Sequence, residues 1–156
     1  MLSAMRIGLV LTGLVMLAAL GGCGEDEAES PGGGGGGGGE ARLEGPVTYT
    51  RGGGVAGRTD RLVVRPDGSA TLTTRKGEKA VKLSPEEVSK VADELRRANL
   101  PALPSSSVAD PPAPDAFAHR VVYRGTTVTA DDPSMPDALR GLVATLGGLV
   151  DAHEKG

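Results

Sequence analysis

The sequence predicts an α+β domain: a small antiparallel sheet of two hairpins with two helices packed on one face, in the order ββ(β)α-loop-ββα. Three observations carry this. Short β-rich runs come in two groups, turn dipeptides separate the runs within each group, and each group is followed by a segment with apolar residues at helical spacing. Antiparallel strands followed by a helix bury their apolar faces best as a sheet covered on one side.

The elements follow in chain order. Val47-Thr48-Tyr49-Thr50-Arg51 alternates like a half-buried strand. Arg61–Arg65 and Ala70–Thr74 are two more strand candidates, joined by Pro66-Asp67-Gly68. Asp-Gly between β-rich runs signals a hairpin, because glycine takes the positive φ that such turns need. Ser84-Pro85-Glu86-Glu87 then opens a helix: Ser84 caps, Pro85 suits the first position and Glu87 completes a capping box. Val88, Val91, Ala92, Leu95 and Ala98 form one apolar face, and Asn99-Leu100-Pro101 ends the helix. Residues 101–116 carry Pro101, Pro104, Pro111, Pro112 and Pro114 and read as a long extended loop. A second hairpin, Phe117–Arg124 and Thr126–Ala130, turns at Arg124-Gly125. Pro136 opens the last helix, whose apolar stripe is Ala138, Leu139, Leu142, Val143, Leu146, Leu149 and Val150. Gly147-Gly148 weakens it by about 1 kcal/mol per glycine.

Ahead of the domain the chain changes character. Arg6 and the uncharged run Ile7–Leu20 have the shape of a secretory signal peptide, too short to span a membrane. The run closes on Leu20-Gly21-Gly22-Cys23, which resembles the lipobox of bacterial lipoproteins. That resemblance implies removal of residues 1–22 and a diacylglyceryl group on Cys23. Cys23 is the sole cysteine, so it forms no internal disulfide. Residues 23–44 read as an acidic and glycine-rich tether, with Glu25, Asp26, Glu27 and Glu29 ahead of the run Gly32–Gly39. Its r.m.s. reach is roughly 25 Å. Residues 45–153 are then the domain, held on the extracytoplasmic face of the cell membrane.

Composition narrows the chemistry. The chain has 17 basic and 20 acidic residues, and most of the imbalance lies in residues 25–40, so the domain is near neutral. Without Trp and with one Phe and two Tyr, the core must be Val, Leu and Ala. His119 and His153 are too few for a zinc site, so no metal and no cofactor is expected. Ser105-Ser106-Ser107 lacks the strand–turn–helix setting of a nucleophile elbow. Asp131-Asp132 reads as helix capping, and no catalytic constellation emerges, so the chain is not expected to be an enzyme. Gly52-Gly53-Gly54-Val55-Ala56-Gly57 fits the glycine spacing of a dinucleotide fingerprint, but a strand and not a helix follows it. Two readings stay open for it: a flexible hairpin connection, or a loop that meets a partner closely. Arg51, Arg58, Arg61, Arg65, Arg75, Lys76, Lys79 and Lys82 make residues 51–82 basic. With no aromatics among them, nucleic acid is not the expected partner. Solvated hairpin faces or an anionic wall polymer or accessory protein are the two alternatives.

The segment Tyr49-Thr50-Arg51-Gly52-Gly53-Gly54-Val55-Ala56-Gly57 resembles the opening of emfourin-like proteins, inhibitors of protealysin and other thermolysin-like zinc metallopeptidases. Leu95–Leu103, Asp115-Ala116-Phe117 and Pro136-Asp137-Ala138-Leu139 are similar to later motifs of that family. Val55 stands where the family has an aromatic, and the 101–116 loop is long. The resemblance implies a protein-binding module with Arg51, Gly52, Gly53, Gly54, Val55, Ala56 and Gly57 at the contact, and a metallopeptidase or another envelope protein as partner. For the anchor, Cys23→Ala is expected to leave the precursor uncut or to release the protein. Membrane fractionation with mass measurement of the N-terminus checks this; a processed, membrane-bound variant contradicts the lipid reading.

Overall fold

The computed structural model describes residues 42–111 and 113–155; the expected signal peptide, Cys23 and nearly all of the tether lie outside them. The described part is mixed α+β, as expected, but its sheet is larger than two hairpins. Seven strands run in the order β4-β3-β2-β1-β6-β7-β5. They are β1 (Val47–Gly53), β2 (Arg58–Val64), β3 (Ser69–Thr74), β4 (Gly77–Lys82), β5 (Ser106–Ser107), β6 (Phe117–Tyr123) and β7 (Thr126–Asp131). All pairings are antiparallel except β5 on β7. The two hairpins join because β6 pairs with β1 along its whole length, Val47 opposite Tyr123 and Gly53 opposite Phe117.

Two strands lay outside the sequence expectation. β4 is an edge strand, Gly-Glu-Lys-Ala-Val-Lys, exposed at every position but Val81. With little to bury, it shows no alternation, and its charges protect the open edge from pairing with other chains. β5 interrupts the expected loop: the Thr129 amide donates to the Ser105 carbonyl at 2.9 Å, and Ser106 and Ser107 lie beside Thr129 and Ala130.

The turn at Pro66-Asp67-Gly68 forms as its chemistry requires. The Gly68 amide donates to the Arg65 carbonyl at 3.0 Å with φ at 78°, and the Asp67 carboxylate accepts from the Ser69 amide at 2.9 Å. Helix α1 (Pro85–Ala98) has both halves of its capping box: Glu87 N–H to Ser84 Oγ at 3.2 Å and Ser84 N–H to Glu87 Oε2 at 2.7 Å. Asn99, with φ at 45°, ends the helix in the left-handed conformation. Helix α2 (Asp137–Glu154) starts from Pro136 and not from Asp131 or Asp132, so the expected helix-capping role of that pair is corrected. Ala138, expected in the apolar stripe, is exposed; the rest of the stripe is buried.

One face of the sheet carries the core. Val47, Tyr49, Leu62, Val64, Ala70, Leu72, Val121, Val128 and Ala130 point to it and pack with the buried faces of both helices in one cluster. Each Leu or Val taken fully out of water contributes about 1.5–3 kcal/mol. The alternate residues form the other face, which no helix of the described residues covers. Gly148 sits in α2 with nothing within 4 Å of where a Cβ would be. Gly148→Ala is therefore expected to raise stability by about 1 kcal/mol, read by urea denaturation; a loss of stability contradicts this account of the helix.

Candidate functional site

The segment Gly52–Gly57 lies at the end of the sheet where β1 passes to β2. Gly54–Gly57 make the connecting turn, closed by the Gly57 amide on the Gly54 carbonyl at 3.0 Å. β2 begins at Arg58, so no helix N-terminus faces the glycines and a dinucleotide has no cradle here. The turn is held from both sides. Gly54 donates its amide to the Ala116 carbonyl at 3.2 Å, and the Ala56 carbonyl accepts from Arg75 Nη1 at 3.0 Å. At Gly54, with φ at 68°, a Cβ would lie 2.7 Å from Phe117 Cζ, so only glycine lets the turn rest on that ring. Val55 stands at the tip and is 88 % exposed. Val108, the other large exposed apolar side chain among the described residues, is next to Ala109, whose amide donates to Asp131 Oδ2 at 2.7 Å. Asp131 pairs with Ala118 at the same end of the sheet. The Ala109 and Ser134 amides hold the Asp131 carboxyl below the usual carboxylate range.

Beneath the turn lies a polar layer. Arg51, unlike its expected companions at the contact, points into the domain. It lies opposite Asp60 on β2 and His119 on β6, on the core face. Its Nη2 donates to Asp60 Oδ2 and to Asp151 Oδ1, each at 2.8 Å, and its guanidinium sits 5.5 Å from the centre of the Phe117 ring. Arg58 adds a 3.3 Å contact to Asp60 and a 2.5 Å contact to Glu154 at the end of α2. Burial alone lowers the pKa of the Arg51 guanidinium; the Asp151 and Asp60 carboxylates outweigh it and raise it. Arg51 in turn holds the Asp151 carboxyl low. Stability from that pair is present above the ordinary carboxylate pKa, about 4, and is lost as pH falls through the lowered value.

Beside Arg51, Tyr49 Oη is 2.9 Å from His119 Nδ1, and His119 Nε2 is 2.8 Å from Asp132 Oδ1. Both ring nitrogens of His119 are thus engaged, one by the Tyr49 hydroxyl and one by the Asp132 carboxylate. The order hydroxyl, imidazole, carboxylate is that of a nucleophile relay. However, Tyr49 is fully buried under α2, near Gly147, and burial pushes its phenol well above the ordinary range. No substrate can reach that oxygen, so the chain braces β1 against β6 and the β7–α2 connection. His153 pairs loosely with Glu87 of α1 at 3.7 Å. Among the described residues no group of three His, Cys, Asp or Glu side chains can hold a metal ion, and no helix is long and apolar enough to cross a membrane.

Several basic residues of segment 51–82 serve local partners. Arg51 and Arg58 serve internal carboxylates, Arg75 serves the turn, Lys76 lies 3.8 Å from Glu154, and Lys82 donates to the Asp67 carbonyl at 2.6 Å. Compared with known proteins, the chain matches no family model and no curated protein.

Asp60 is 1 % exposed, and its removal leaves Arg51 Nε without its acceptor and the buried guanidinium with only the half-exposed Asp151. Asp60→Ala is expected to cost about 3 kcal/mol, while Arg51→Met with Asp60→Leu recovers most of it. Urea denaturation of the three proteins checks this, and equal stability of Asp60→Ala and the native chain contradicts it.

Proposed function

We propose that this chain is a lipid-anchored, extracytoplasmic binding module that contacts a protein through the Gly54–Gly57 turn, and that the partner is a thermolysin-like metallopeptidase which it inhibits. The observation that carries the reading is Val55: an apolar side chain 88 % exposed at the tip of a turn that is pinned on both flanks. A pinned turn loses little conformational entropy on binding, and a bare apolar tip gains by entering a pocket. The Phe117 ring and the Arg51 layer beneath keep the tip from folding back onto the domain.

The point of attachment fits this use. The chain enters the domain at Leu43–Val47, where the Glu44 amide donates to Tyr123 Oη at 3.0 Å. The Val55 turn lies at the other end of β1. Seven residues of strand span about 20 Å. The entry of the chain into the domain and the proposed contact thus lie at opposite ends of β1. The emfourin resemblance supplies the partner class, and a glycine-rich turn between the first two strands agrees with it, with two further strands, β3 and β4, ahead of α1.

Titration of the purified protein against a thermolysin-like enzyme tests the reading. Inhibition is expected, with Val55→Asp raising the inhibition constant at least about tenfold at unchanged stability. A folded protein that gives no inhibition at micromolar concentration removes the inhibitor assignment. If Val55→Asp inhibits as well as the native chain, the contact lies elsewhere.

A further inference from the structure

The uncovered face of the sheet has its own pattern. On β1 the residues between the buried Val47, Tyr49 and Arg51 are Thr48 and Thr50, with Gly52 next along the same face. Thr50 pairs with Arg61 on one side and with Arg120 on the other. Thr73 lies beyond Arg61 and Thr129 beyond Arg120. A row Thr73, Arg61, Thr50, Arg120, Thr129 therefore crosses five strands, hydroxyl and guanidinium in alternation. Paired antiparallel Cα atoms are about 5 Å apart, so the two arginines flank Thr50 with about 10 Å between their backbones.

Both arginines are exposed, and neither has a carboxylate partner among the described residues. The contrast is with Arg51, Arg58, Arg96, Arg97, Arg124 and Arg140, all ion-paired. Thr48 lies between Val63 and Val122, and Gly52 between Thr59 and Ala118; the one acid of these rows, Asp131 beyond Ala118, has its carboxylate taken by the Ala109 and Ser134 amides. The nearest acid of the row is Glu78 on β4, one strand beyond Thr73, whose hydroxyl reaches it at 3.4 Å. Arg65 adds a third cation to the face, beside Thr71 at 3.4 Å.

We infer that Arg61, Thr50 and Arg120 form a phosphate-binding site, and that its occupant is a linear chain of linked phosphates lying on the open sheet face. Two guanidinium forks and a hydroxyl approach from three sides, which the tetrahedrally disposed oxygens of a phosphate can meet together, whereas a carboxylate offers two oxygens in one plane. A phosphate takes a fork from each side and the hydroxyl from below. The face is flat and solvated, where one isolated ion pair is weak, so useful affinity requires several linked phosphates engaging Arg61, Arg120 and Arg65 together. Two residues of this site, Thr50 and Arg120, lie outside the basic segment 51–82. It shares no residue with the Val55 turn, so each stands or falls alone.

Binding of inorganic polyphosphate of defined chain length to the purified full chain, followed by calorimetry, tests the site. Orthophosphate and polyglutamate of matched length serve as comparators, and Arg140→Gln removes the same charge from an exposed helix position. Polyphosphate is expected to bind more tightly than polyglutamate. Arg61→Gln with Arg120→Gln is expected to raise Kd about tenfold, Thr50→Val about threefold, and Arg140→Gln hardly at all. All of these side chains sit at the surface, and urea denaturation confirms that the variants fold. Absence of polyphosphate binding overturns the proposal. So does equal binding by the double variant, an equal loss with Arg140→Gln, or equal affinity for polyglutamate.

Discussion

The buried pair of Arg51 and Asp60 is the constraint around which one end of this domain is arranged. A guanidinium 9 % exposed and a carboxylate 1 % exposed stay in place only if their remaining donors and acceptors find partners. Arg58 and Asp151 are those partners, one from β2 and one from the last turns of α2. The pair therefore fixes where the end of α2 lies over the sheet. Next to it the Tyr49–His119–Asp132 chain ties β1, β6 and the start of the β7–α2 connection. Apolar packing alone is tolerant of small slides, whereas hydrogen-bonded charges are not.

That polar layer also explains why the glycine-rich turn can be rigid while its tip is bare. The turn does not rest on the core. It rests on Phe117, whose ring lies against Arg51, and on the Ala116 carbonyl and Arg75. Removing side chains at Gly53 and Gly54 brings the backbone of β1 close to β6, since a Cβ at Gly53 would lie 2.6 Å from the Ala116 carbonyl oxygen. Val55 is thereby held out at a tip supported from below.

Covering only one face of seven strands has a second consequence. The open face must be stable in water, and threonine meets that need by combining strand propensity with a hydroxyl. The arginines on it are neither core residues nor ion-paired. The inner row, Asp60, Arg51 and His119, and the outer row, Arg61, Thr50 and Arg120, occupy adjacent positions of the same three strands. One row spends its charges on internal partners; the other leaves them to solvent or to a ligand.

Much of this fold was legible in the sequence. The alternation of β1, β2, β3, β6 and β7, the Asp-Gly turn, the capping box and the apolar faces of both helices are local patterns, and all formed in the expected places apart from Ala138, which is exposed. The glycine segment was legible as a turn followed by a strand. β4 was not, because an edge strand with little to bury carries no alternation, and β5 was not, because two residues have no period. The inward direction of Arg51 and Asp60 was contained in the alternation with Tyr49 and Leu62, but their pairing was not. The sequence by itself determined the elements, their apolar faces and the turn chemistry, since these depend on neighbours a few residues apart. Only the tertiary structure decided that β6 lies beside β1. That pairing joins residues 70 positions apart, and it alone sets Tyr49 against His119, brings Arg120 to Thr50 and lays Gly54 on Phe117. Such contacts depend on register between distant strands, which no local pattern specifies.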